Sequence, residues 1–80
     1  MEQKQIKSNR EFLIELRDEV AKRVITYRAN LAYWQEVSRT AKTISQDKVD
    51  ATNNITGNET SIKKDTLFLK CIDTMIKNEK

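Results

Sequence analysis

Apolar residues recur along the first half of the chain at Leu13, Leu16, Val20, Val24, Tyr27, Leu31, Trp34 and Ala41. The steps are three and four, broken only at Ser38, and such spacing lines one face of a helix. The start is marked by Ser8 followed by Glu11, a capping box in which the hydroxyl accepts from a free amide and the carboxylate reaches back to the cap residue. The first 56 residues contain neither Gly nor Pro, the strongest punctuators of local structure. The pattern therefore predicts one long helix over residues 9–48, or a pair broken near Asn30 or between Thr40 and Ser45.

The helical signal fades after Ile44, where Ser45, Gln46, Asp47 and Asp50 intervene, and fails in the Asn/Thr-rich stretch around Gly57. That stretch, 52–60, is the expected loop. Thr60 or Ser61 then caps a second helix over 61–78. Its apolar residues Leu67, Phe68, Leu69, Cys71, Ile72, Met75 and Ile76 cover about 200° of the circumference, wider than the stripe of a surface helix. Cys71, between Leu67 and Met75, is expected as a buried small hydrophobe. No second strand candidate exists to pair with Leu67 to Leu69.

The expected fold is all-α: a single domain over 1–80, with a flexible N-terminus at 1–8, a long N-terminal helix or helix pair, and a C-terminal helix. A helix over 9–48 is about 60 Å long and its partner about 25 Å. The shorter one covers the longer only from Leu31 onward, which leaves Leu13, Leu16, Val20 and Val24 in need of another subunit. The stripe Leu13, Leu16, Val20, Val24, Tyr27, Leu31 and Trp34 is accordingly the expected oligomer interface, and the architecture an oligomeric helical bundle.

Size supports assembly. The chain has 80 residues and 9.4 kDa, and a domain of this length buries only about 63% of its unfolded surface. Composition restricts the chemistry. With no His and a single Cys there is no zinc site of the His/Cys kind and no Ser/His/Asp or Cys/His constellation. Neither enzymatic activity nor any metal or other cofactor is expected. Met1 to Arg10 is polar throughout and does not resemble a signal peptide, and no run approaches the roughly 18 apolar residues of a membrane span. The expected location is cytoplasmic, with no membrane contact.

Beside the main stripe runs a second row: Ile14, Arg17, Ala21, Ile25, Arg28, Ala32, Gln35 and Arg39. Residue types repeat every eleven positions, about three helical turns, so Arg17, Arg28 and Arg39 share one line with Arg10. Lys22 and Arg23 follow Asp18 and Glu19 by four residues, the favourable orientation for intrahelical pairs. Arg17 and Arg28 have apolar neighbours at three and four residues instead. They either lie at the edge of the core and snorkel into water, or take an acceptor from another helix, another subunit such as its Asp18, Glu36 or Asp73, or an anionic ligand. A guanidinium fork matches phosphate bidentately. Arg17, Arg28 and Arg39 are thus candidate ligand-binding residues, with Tyr33 on the opposite side as a candidate stacking group.

The net charge is +3, carried by residues 1–48. This bias is weaker than that of DNA-binding arms, and no helix-turn-helix, zinc-finger or RNA-binding signature accompanies it. The leading expectation is a small, non-enzymatic, homo-oligomeric helical protein that sequesters or inhibits a partner, either a protein or an anionic, nucleotide-like molecule. Its composition, rich in Lys, Ile, Asn and Thr, is of the kind AT-rich bacterial or phage genes encode. Its plan resembles, without a shared motif, that of phage proteins that sequester signalling nucleotides. The alternatives are nucleic-acid binding through the basic helix and a structural coiled-coil scaffold or assembly factor.

Overall fold

The structure, a computed structural model, describes residues 8–79; the expected flexible N-terminus lies outside this range except for Ser8. Two helices make up the fold, α1 over Asn9–Thr40 and α2 over Gln46–Asn78. They pack against one another as an antiparallel hairpin, with cross-helix contacts pairing Arg10 with Glu79, Arg17 with Asp73, Arg23 with Asp65 and Ser38 with Lys48. The described residues include no strand.

The N-terminus of α1 is built as its sequence dictates. Ser8 Oγ accepts from the Glu11 amide at 3.2 Å, and the Ser8 amide donates to the Glu11 carboxylate at 3.4 Å. The helix then runs through Asn30 and stops at Thr40, with Ala41 extended. Five residues, 41–45, reverse the chain and leave Ile44 at the tip 95% exposed. Ser45 restarts the helix, accepting from the Lys48 amide at 3.2 Å, with Asp47 in the positively polarised first turn. Lys48 Nζ reaches back to the Ser38 carbonyl at 2.8 Å and hydroxyl at 3.0 Å. A cation thereby sits at the C-terminal end of α1, where the helix dipole favours it.

The division of the chain differs from the sequence expectation. Residues 52–60 are not a loop but essentially the third and fourth turns of α2, and that helix begins at Gln46 instead of 61. The polar side chains bond along the helix rather than against it: Thr52 Oγ1 donates to the Lys48 carbonyl, Asn54 Nδ2 to Asp50 and Asn58 Nδ2 to Asn54, at 2.8–2.9 Å. Bonded to the carbonyl four residues back, these side chains are accommodated on the helix surface without breaking its backbone ladder. Gly57 sits on the exposed side, with nothing near the position a Cβ would take.

This correction changes the packing argument. With 33 residues, α2 matches the 32 of α1 and covers it along its length. Val20 and Val24 are buried within the hairpin, at 0% and 6% exposure, and need no second subunit to cover them. Val20, Ile72 and Ile76 form the core, flanked by Leu13, Ile14, Leu16 and Leu69. Ala51, fully buried nearer the turn, lets the helices approach there. Cys71 is exposed, not buried: one step before Ile72, it lies about 100° off the line that faces α1.

Candidate interaction surface

The hairpin is one layer thick, so each helix hides one face and leaves its flanks open. At 100° per residue, Phe12 and Arg17 fall on opposite sides of the Val20 line. This gives the hairpin two distinct flanks.

The Phe12 flank is apolar at the open end of the hairpin. Phe12 is 64% exposed and Met75 52%, and with Asn9, Leu13 and Glu79 they line a groove that spans both helices. A second groove, lined by Phe12, Glu15, Leu16 and Glu19, continues along α1. On α2 the row proceeds from Met75 to Cys71 and Phe68, with steps of four and three that keep them on one side. Leu67, 64% exposed, borders the row. The width of the apolar face on the second helix thus has a structural meaning: Ile72, Ile76 and Leu69 go to the core, and Leu67, Phe68, Cys71 and Met75 face outward.

The Arg17 flank carries the arginine line. Arg17 Nη1 lies 3.5 Å from Asp73 Oδ1, an acid of the other helix in the same chain. Arg39 pairs with Glu36 one turn before it, and Arg10 donates to the Glu79 carbonyl at 3.5 Å. Arg28 is exposed and pairs with none of the described residues. Arg10 and Arg17 are about 10 Å apart along the axis, and Arg17, Arg28 and Arg39 about 16 Å apart in turn, so no two from one chain grip the same phosphate. Tyr33 stands on the other flank, edge-on to Trp34 with ring centroids 5.1 Å apart and planes at 79°. The structure therefore does not gather Arg17, Arg28, Arg39 and Tyr33 into one site. A groove lined by Leu31, Glu59, Ile62 and Lys63 crosses the hairpin midway along its length.

Of the expected interface residues, Val20 and Val24 are buried in the hairpin seam, and Leu13, Leu16, Tyr27, Leu31 and Trp34 are half-buried along it. Phe12, Phe68 and Met75 were the exposed positions to find. A stripe drawn through the most regular apolar spacing selects the intramolecular seam, and the residues left over mark the free flank.

The best-built polar feature is one sequence spacing assigned elsewhere. Arg23, expected to pair with Glu19, spans the hairpin to grip Asp65 with two hydrogen bonds, Nε to Oδ2 at 2.9 Å and Nη2 to Oδ1 at 3.0 Å. The hydrogen bonds from Arg23 are the main cause that lowers the Asp65 pKa below its ordinary value, and the same bonds raise that of Arg23. Among the described residues no group of acidic or thiol side chains is arranged to hold a metal ion, and no helix is long and apolar enough to cross a membrane. Comparison with known proteins finds no matching family model and no similar curated protein or solved structure.

Proposed function

We propose that the chain is a non-enzymatic interaction protein, one subunit of a helical assembly that acts by sequestering or inhibiting a partner. The observation that carries this reading is the exposure of large apolar side chains on both flanks of a fully formed hairpin, Phe12, Leu67, Phe68 and Met75 on one side and Ile25 on the other. Isolated exposed apolar residues are ordinary, whereas a cluster spanning two helices marks a surface built to be covered. The partner in this reading is a protein held by apolar contact, because Arg17 and Arg39 already have acids of their own chain.

Native mass spectrometry of protein purified from its own cells tests the reading. The expected spectrum contains a species whose mass is not a whole multiple of 9.4 kDa, which releases a second polypeptide on denaturation. Recovery of bare chain alone in every preparation overturns the proposal. Recovery of nucleic acid, lost steeply as salt rises, replaces it with the nucleic-acid reading.

A further inference from the structure

We infer that the flank carrying Phe12, Phe68 and Met75 is occupied by a second copy of this chain, so that two hairpins form a four-helix bundle. The inference rests on the reading above and deepens it: one flank serves self-association, and the foreign partner is held by the assembled bundle.

The surface area leaves room for extensive cover. The chain exposes 6710 Å², whereas a compact monomer of 9.4 kDa exposes about 5,000 Å². The surplus is about twice the roughly 800 Å² that each partner contributes to a standard interface. Cover on that scale adds stability to a hairpin whose main core cluster is Val20, Ile72 and Ile76. The partner available whenever the chain is made is the chain itself.

The flank also fits itself. It carries apolar groups on both helices at the same height, since Phe12 and Met75 share one groove. A twofold axis running along the hairpin lays α1 of one copy on α2 of the other. Phe12 then meets the Met75 row of its partner, and helices of 32 and 33 residues overlap throughout. Glu19 on α1 and Lys64 on α2, both exposed, carry opposite charge, and the rotation sets α1 of each copy beside α2 of the other. Cys71, on the same row, is covered in the pair and open in the single hairpin.

Sedimentation equilibrium of the full chain at micromolar concentrations, combined with thiol labelling of Cys71, tests this inference. The expected mass is twice 9.4 kDa, and labelling is expected to slow roughly tenfold as the monomer fraction falls to roughly a tenth. Phe68→Lys and Met75→Lys should give helical monomers with fast-reacting Cys71, while Ile25→Lys, at a 66% exposed position on the other flank, should leave the dimer intact. A wild-type monomer whose thiol reacts as fast as in the unfolded chain at every concentration overturns the inference, as does a dimer broken by Ile25→Lys and indifferent to Phe68→Lys. Should the lysine variants lose helicity, the concentration dependence of the wild-type thiol decides alone. A monomer that still retains a foreign polypeptide overturns this inference and leaves the binding reading standing.

Discussion

Arg23 and Asp65, 42 residues apart, meet in a two-pronged ion pair across the hairpin. Asp65 is the more enclosed partner, its side chain 14% exposed against 48% for Arg23. Paired bonds in a fixed fork tolerate little sliding, so the contact sets how far α2 is threaded along α1. Arg17 with Asp73, two turns nearer the open end, agrees with that register.

The first prediction is a pH dependence specific to Asp65. Because the folded state holds its pKa below the ordinary 3.8, folding favours the carboxylate. Its stabilising contribution is full above that ordinary value and is lost as pH falls through the lower folded value. Thermal melts of wild type and Asp65→Asn should therefore differ at neutral pH, with the variant less stable, and converge under acid. Curves separated by a constant interval down to acid pH would show that the carboxylate contributes by shape alone.

Much of the fold is legible in the sequence, for local reasons. Ser8 and Glu11 announce the first helix because both halves of a capping box lie within four residues, and Leu13 to Trp34 keep strict helical spacing. The chain turns at one of the two breaks the spacing offers, between Thr40 and Ser45; the expected loop at 52–60 misleads because the usual signs are inverted. Gly57 and its Asn/Thr neighbours look like a loop yet lie within α2, their side chains bonded to carbonyls four residues back, while the true turn, 41–45, contains neither Gly nor Pro. Ser45 followed by Asp47 was the available signal. The Arg23 contact was not legible, since Glu19 offers an equally good partner on paper and only the hairpin register brings Asp65 into reach.

The helical state of Gly57 leads to a second prediction. Its φ is not positive and the position is open to solvent, so a methyl group meets no obstacle. Gly57→Ala should stabilise the protein by about 0.5–1 kcal/mol, the difference in helix propensity. Chemical denaturation measures it. A loss of stability would place this residue outside a helix and restore the loop.

Core and flank should separate cleanly under truncation. Ile72 is 1% exposed against Val20, so Ile72→Ala is expected to cost about 2–5 kcal/mol through lost burial and the cavity left behind. A core of this size has little reserve, and the variant should be largely unfolded by circular dichroism. Val49→Ala, at a 52% exposed position near the turn, should stay within about 1 kcal/mol of wild type. Equal losses from the two would mean that the seam between the helices is not where the structure places it.

The arginine line yields the last prediction, in which pairing decides the outcome. Arg17 has Asp73 and is 42% exposed, so the bridge belongs to the surface class, worth about 0–1 kcal/mol. Arg17→Ala should lose that amount, and in a double-mutant cycle with Asp73→Ala the second substitution should cost less than it does alone. Arg28, with no partner among the described residues, should be replaceable by Ala within about 0.5 kcal/mol. Arg17, Arg28 and Arg39 lie about 16 Å apart in turn on one chain, so adding mixed nucleotides should leave the wild-type melting temperature unchanged. A rise on adding nucleotides that disappears in Arg28→Ala, while Lys22→Ala retains it, would reverse this conclusion. Arginines from two subunits would then be converging on an anion, and the line would be a ligand site created by assembly.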